Sequence, residues 1–222
     1  MTLEGPMHKA ILAVLLAASA TAAQAVDITF NAPANTNPGS SATFGPLTAT
    51  GYTCTAGCAG AGVLTDLFIK SAGPGEEGLG LNLDPTGQHE IFSPPPEGQF
   101  SFVQLDVSAI LALTTGATFT MDSTTNGELW KVFGSNTAGL VDGVNTNSGS
   151  DELSHAFGSW GTYKYYDFFS FGSGGEAFGN VLLSSVSYAV PEPASWAMML
   201  LGFAGIGAAM RRNRKKLLTQ LA

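Results

Sequence analysis

The sequence is poor in positive charge over most of its length. Between Val26 and Tyr188 it has no arginine and three lysines, Lys70, Lys131 and Lys164, against 15 Asp and Glu residues, which gives a formal net charge of −12. The other six Lys and Arg residues lie near the two ends of the chain. A protein that binds a phosphate backbone needs Lys and Arg to displace counterions. We therefore expect no nucleic-acid partner for this central segment, which we call the body.

The sequence also lacks the short motifs that accompany many catalytic sites. It has no G-x-S-x-G elbow, no H-E-x-x-H pair, no P-loop and no dinucleotide-binding fingerprint. The body has two histidines, His89 and His155, and no nucleophile is associated with either in the sequence. We therefore expect no enzymatic activity and name no catalytic residue. A glycan hydrolase remains an alternative, because two carboxylates that converge in the fold would suit glycoside hydrolysis.

Only two cysteines occur, Cys54 and Cys58, within a stretch rich in Gly and Ala. In an exported chain, an even pair this close predicts a small disulfide loop, with a free pair as the alternative. A zinc site normally takes four ligands, and the C-x3-C spacing differs from the redox C-x2-C motif.

The N-terminal residues have the pattern of a secretory signal peptide. Lys9 precedes an apolar run over residues 10–18, and Ala23 and Ala25 form the small-x-small signal for a signal peptidase. We predict a signal peptide over residues 1–25, with Met7 as an alternative start and Val26 as the first mature residue.

The body, residues 26–188, has the pattern of an all-β domain. Short apolar or alternating runs are separated by clusters of Gly, Pro, Asn and Ser, and no long window has helical spacing. This pattern predicts a β-sandwich, most simply a jelly roll. One helical turn is expected at residues 107–113. The predicted strands are Val63–Ile69, Phe100–Val107, Ala117–Met121, Leu129–Phe133 and Val181–Tyr188.

Residues 158–171 are the most aromatic part of the body. On a strand, alternate side chains lie on opposite faces, so one face would belong to the core. The other face would be either an ordinary sheet surface or a platform on which sugars stack. The candidate glycan contacts are Trp160, Tyr163 and Tyr165.

Two loops rich in oxygen atoms are candidates for a Ca²⁺ site, because Ca²⁺ takes six to eight oxygen ligands. The first supplies Glu76, Glu77 and Asp84, and the second covers residues 142–152. Solvated turns are the alternative, since neither loop has the spacing of an EF-hand. No other cofactor is expected.

The C-terminal tail, residues 189–222, has a different composition. An apolar run over residues 194–210 follows two prolines and precedes a basic cluster. Its 17 residues would form about 25 Å of helix, which is at the short limit for a membrane span. The positive-inside rule places the basic cluster on the cytoplasmic side. That cluster consists of Arg211, Arg212, Arg214, Lys215 and Lys216.

This tail resembles the PEP-CTERM sorting signal in its P-E-P-x-x-W-A variety. The resemblance rests on Pro191, Glu192, Pro193, Trp196 and Ala197, followed by the apolar run and the arginines. It implies a Gram-negative exported protein that an exosortase recognises and cleaves near the motif. It also implies transient anchoring in the inner membrane and then transfer to the cell surface or matrix.

Proteins with such tails tend to accompany exopolysaccharide production and biofilm formation. The resemblance thus implies a non-enzymatic structural protein of the surface or matrix. The alternative is a glycan-binding module on a Ca²⁺-stabilised sandwich, with exopolysaccharide as its partner.

Overall fold

A computed structural model describes residues 24–54, 58, 60–82, 87–93, 100–124, 128–172, 179–190, 199–208 and 210–211. Residues 25–189 form one compact unit, and residues 1–24 together with 190–222 form a second. The signal-peptide residues before Gln24, the stretch 191–198 and the tail beyond Arg211 lie outside the described residues. The structure therefore bears on the body and on part of the tail.

The described part of the body consists mainly of β-strands. A short helix, α1, spans Ser108–Leu111 and confirms the predicted helical turn. The strands are β1 (Gln24–Thr29), β2 (Thr36–Gly39), β3 (Ser41–Phe44), β4 (Leu47–Cys54), β5 (Val63–Thr65), β6 (Leu67–Ser71), β7 (Glu77–Leu81), β8 (Ile91–Ser93), β9 (Phe100–Asp106), β10 (Ala117–Asp122), β11 (Leu129–Ser135), β12 (Asn145–Gly149), β13 (Ser154–Ala156), β14 (Tyr165–Phe171) and β15 (Gly179–Val190).

Within the described residues these strands form two antiparallel sheets. The first sheet has the order β13-β10-β15-β7-β6-β2, and β1 and β8 also pair with β15. The second sheet has the order β12-β11-β14-β9-β4-β3, and β5 also pairs with β4. The prediction of a β-rich, sandwich-like body is confirmed at this level.

The main core lies where the two sheets face each other. Phe119 of the first sheet contacts Trp130 and Phe168 of the second, with ring centroids 5.4 and 5.2 Å apart. Trp130 and Phe168 are fully buried. Since side chains alternate along a strand, their neighbours Lys131 and Phe169 lie on the outer face of the second sheet.

The prediction of a single strand at Val63–Ile69 is wrong. The run Val63–Ile69 is not one strand, because β5 joins the second sheet and β6 joins the first. The chain crosses between sheets at Asp66, whose backbone oxygen accepts a hydrogen bond from Asn82 N at 2.8 Å. The β6 half is largely buried, whereas Val63 and Leu64 of β5 are 69% and 59% exposed, so the apolar pattern across the crossing does not reflect one buried face.

The described tail residues are helical at 199–208 and 210–211. Leu200, Leu201 and Phe203 of this helix are 66%, 66% and 65% exposed. Within the described part of the chain, no helix has both the length and the apolar character needed to span a bilayer. The predicted transmembrane helix therefore stays a prediction.

Candidate functional site

The outer face of the second sheet carries a continuous row of aromatic rings. Tyr52 of β4 stacks on Phe102 of β9 with centroids 5.1 Å apart, and Phe102 stacks on Phe169 of β14 at 4.9 Å. Phe133 of β11 then meets Phe169 edge to face at 5.5 Å. These residues come together because antiparallel pairing sets Tyr52 opposite Phe102 and Phe102 opposite Phe169. The row forms a second apolar layer, separate from the main core.

A loop of residues 136–144, which we call the covering loop, folds over part of this row. Gly139 lies against the Tyr52 ring with φ of +71°, and a Cβ there would come within 2.8 Å of that ring. Gln104 of β9 accepts a hydrogen bond from Gly139 N at 2.8 Å and donates one to Thr137 O at 3.3 Å. Glycine thus permits a close approach, and Gln104 fixes the loop to the sheet.

Beneath the covering loop lies a buried carboxyl group, that of Asp167. Its Oδ1 accepts a hydrogen bond from Gln104 Nε2 at 2.7 Å, and its side chain is 0% exposed. Burial raises the pKa of Asp167 well above its ordinary value, and the negative charge of Asp142 raises it further. The hydrogen bond from Gln104 acts in the opposite direction and lowers the pKa. The site therefore favours the neutral acid, which suits an apolar layer.

Among the residues that the structure describes, the covering loop leaves one end of the aromatic row open as a groove of 330 Å³. Phe169 is 3% exposed and forms its floor, while Phe100, Phe133 and Phe171 are only partly buried. Lys131 Nζ lies 4.2 Å from the centroid of the Phe171 ring, within the range of a cation–π contact. The lining residues are Cys58, Phe100, Lys131, Phe133, Val141, Gly143, Phe169 and Phe171.

A disulfide joins Cys54 and Cys58, whose Cα atoms are 5.1 Å apart. Both residues are buried and belong to the outer aromatic cluster with Tyr52, Phe102 and Phe169. Cys54 ends β4, so the disulfide holds Cys58 at the groove wall.

The structure does not gather the predicted sugar contacts Trp160, Tyr163 and Tyr165 into one platform. Strand β14 begins only at Tyr165, so Trp160 and Tyr163 precede it. Trp160 and Tyr163 both contact the buried Tyr166 ring, each with centroids 6.3 Å from it. Tyr165 is next to Tyr166 on the strand and therefore lies on the opposite face. Trp160 also donates a hydrogen bond to Thr114 O at 3.2 Å, which ties it to the fold.

The predicted Ca²⁺ ligands have other partners. Glu76 accepts hydrogen bonds from Lys70 at 2.5 Å and from Ser123 at 3.2 Å. Glu77 accepts them from Asn31 and Ser71, both at 3.2 Å. Asp84 lies outside the described residues. Among the residues that the structure describes, no group of three or more His, Cys, Asp or Glu is placed to hold a metal ion.

Lys70 instead organises a buried charge cluster with Glu76 and Glu90. Lys70 is 7% exposed and Glu90 is 3% exposed, and Lys70 Nζ donates to both carboxylates. Burial raises the pKa of Glu90 to about 7, against the effect of the hydrogen bond from Lys70. Burial disfavours the charge of Lys70, but hydrogen bonds to both glutamates leave its pKa raised. One ammonium group thus serves two carboxylates, and Glu90 is the one that holds a proton more readily.

The tail matches a known family model over residues 189–215. The chain carries a PEP-CTERM protein-sorting motif. This result confirms the resemblance to the PEP-CTERM sorting signal but not its P-E-P-x-x-W-A variety, and it indicates an exported protein that crosses a membrane and is directed to an exosortase. Of the matched residues, the structure describes 189–190, 199–208 and 210–211, so the predicted recognition residues Pro191–Ala197 lie outside its scope. No curated protein and no solved structure matches the chain.

The aromatic groove could not be predicted from the sequence. Its residues come from strands far apart in the chain, since Phe100, Lys131 and Phe171 are brought together only by strand pairing. One signal was available. Phe168 and Phe169 are consecutive, so β14 had to carry aromatic rings on both of its faces.

Proposed function

We propose that this chain is an exosortase substrate of the P-E-P-x-x-W-A variety with a non-enzymatic structural role at the cell surface or in an exopolysaccharide matrix. The observation that carries the proposal is the PEP-CTERM motif at residues 189–215. A signal peptidase removes residues 1–25 and the mature chain begins at Val26, within β1. The exported body is then an acidic, jelly-roll-like sandwich that no longer carries the leader.

The tail holds the protein in the inner membrane only during sorting. The helix at residues 199–208 and 210–211 presents large exposed apolar side chains, including Leu200 and Phe203, which supports contact with lipid tails. Arg211 begins the basic cluster that remains on the cytoplasmic side. Cleavage near Pro191–Pro193 removes both and releases the body.

Mass spectrometry of the protein from the cell surface and the medium of a host with an exosortase tests this proposal. The expected surface form begins at Val26 and lacks the basic cluster. A Pro191→Ala/Pro193→Ala variant should accumulate in the membrane fraction with Arg211 still attached. Recovery of the wild-type surface form with Arg211–Lys216 intact would instead show a permanent anchor.

A second candidate function is glycan binding, and the aromatic groove of the second sheet favours it. Partly exposed phenylalanine rings next to a lysine suit a sugar better than they suit packing alone. The Ca²⁺-stabilised form of this candidate has less support, because Glu76 and Glu77 are engaged with Lys70, Asn31, Ser71 and Ser123.

A further inference from the structure

We propose that the groove lined by Phe133, Phe169, Phe171 and Lys131 binds a sugar residue that carries a carboxylate, as in an acidic polysaccharide. The inference names a ligand class for the glycan-binding function proposed above and rests on the extracellular location proposed there. It assigns recognition to residues other than Trp160, Tyr163 and Tyr165.

The rings supply the first element of recognition. The main core lies on the opposite face of the sheet, so the fold does not need Phe133 and Phe171 for contact between the sheets. They flank Phe169 at centroid distances of 5.5 and 6.2 Å, and both remain partly exposed beside an open cavity. The C–H face of a pyranose ring packs on such aromatic faces, while its hydroxyl groups stay in water at the open side.

Lys131 supplies the second element. Lys70 is buried with two glutamates, so Lys131 is one of two body lysines left to meet an external anion. Strand pairing sets Lys131 opposite Phe169, and its Nζ rests over Phe171. A sugar ring packed against the exposed parts of Phe133 and Phe171 would place a substituent beside this ammonium group. A carboxylate is the complementary substituent.

The local charge distribution agrees with an anionic ligand although the body is acidic. Asp142, the carboxylate of the covering loop, is turned toward Ser135 and Thr137, from which it accepts hydrogen bonds at 2.7 and 2.9 Å. Exposed charges farther than about 8 Å are largely screened at physiological salt. Of the described residues that line the groove, Lys131 is the charged one.

The groove is also preformed and of suitable size. Its 330 Å³ lies at the low end of the range for ligand clefts, about 300–1,000 Å³, which suits one or two sugar rings. Gln104 holds the covering loop, and the disulfide holds Cys58. Binding therefore has little ordering cost to overcome.

Affinity electrophoresis of the full chain, in a native gel with mild detergent, tests the inference. The gel contains either polygalacturonate or the same polymer with its carboxyl groups methyl-esterified. We expect retardation by polygalacturonate and about tenfold weaker binding to the ester, as for the loss of one close charge pair. Galacturonic acid as a free monosaccharide should compete if one ring fills the groove.

The variants separate the groove from general electrostatics. Lys131→Met should weaken binding to polygalacturonate about tenfold and weaken binding to the ester much less. Lys164→Met is the matched control, because it removes the same charge at the opposite end of β14, about 20 Å away. Phe171→Leu should weaken binding to both polymers, and a thermal unfolding midpoint for each variant checks that the fold is intact.

Three results would overturn the inference: no retardation by either polymer, equal effects of Lys131→Met and Lys164→Met, or binding of only an apolar dye or peptide. Its failure is distinguishable from that of the sorting proposal. A surface form with the tail retained but normal retardation would refute only the sorting proposal. Normal processing without retardation would refute only the groove.

Discussion

The stability of the protein should depend on pH through the cluster of buried Lys70, buried Glu90 and the partly exposed Glu76. The pKa of Glu90 is raised from 4.5 to about 7, so the folded protein holds this proton more tightly than the unfolded chain does. The resulting stabilisation is fully present below pH 4.5 and is lost as pH rises toward 7. Since one pKa unit corresponds to about 1.4 kcal/mol, the loss between pH 4 and pH 8 approaches about 3 kcal/mol.

The variant Glu90→Gln isolates the contribution that the ionisation of Glu90 makes to the free energy of unfolding. Lys70 Nζ and Ser123 Oγ both donate to Oε1 of Glu90, and a glutamine keeps that acceptor. Its amide also donates in place of the carboxyl proton, on the side where Glu76 lies. The glutamine cannot ionise, so the variant behaves as the protonated wild type at every pH. The two proteins should be similar near pH 4, and the variant should be the more stable by about 3 kcal/mol at pH 8.

Urea unfolding of the full chain in mild detergent, followed by tryptophan fluorescence, to which the buried Trp130 contributes, measures this difference at several pH values. The control Ser123→Ala removes one hydrogen bond to Glu90 but no charge, so it should shift the wild-type curve while it keeps the same sense of pH dependence. A gain in the stability of the wild type over Glu90→Gln as pH rises would contradict this prediction. That result would mean that attraction to Lys70 outweighs the burial of the Glu90 charge.

Three further predictions concern the outer face of the second sheet. Gly139→Ala should destabilise the protein by about 1–3 kcal/mol, seen in the urea midpoint, because the new Cβ meets Tyr52 at a positive φ; a neutral result would mean that the covering loop moves freely. Asp167→Asn should be more stable than the wild type by an amount that grows as pH rises above the ordinary pKa range of an aspartate. The reason is that the raised pKa of Asp167 makes the folded wild type lose stability as its unfolded chain ionises. A stability difference that does not change with pH would contradict this prediction. Cys54→Ser should lower the free energy of unfolding by about 2 kcal/mol in the absence of reductant. Reductant should lower the free energy of unfolding of the wild type by the same amount and leave that of the variant unchanged.

The sequence predicted individual strands well where one face is apolar and turns bound the run. The prediction at residues 100–107 corresponds to β9, Phe100–Asp106, in which Val103 and Leu105 face the main core and Phe102 faces outward. The crossing at Asp66 could not be predicted, because both β5 and β6 are short and apolar and nothing in the pattern marks a change of sheet.

The candidate site was much harder to predict than the strands. Trp160 and Tyr163 were chosen as ligand contacts because they are aromatic and close in sequence, but they pack around Tyr166. The residues that do form an open aromatic surface, such as Phe133 and Phe171, depend on the register of two strands whose partners lie far apart in the chain. A hairpin turn can set the register of two strands, but no hairpin turn joins β11 to β14, so their register could not be predicted from the sequence between them.

The second apolar layer limits what the body can be. An isolated β-sandwich needs one buried interface, yet here Tyr52, Phe102 and Phe169 make the outer face of the second sheet apolar as well. The covering loop and the disulfide shield most of this face, and both are held by specific contacts of Gln104 and Cys54. A structural role alone would favour complete cover, since exposed phenylalanine promotes association. Within the described residues, the end of the row beside Lys131 stays open, and the proposed ligand binding would give this exposure a physical reason.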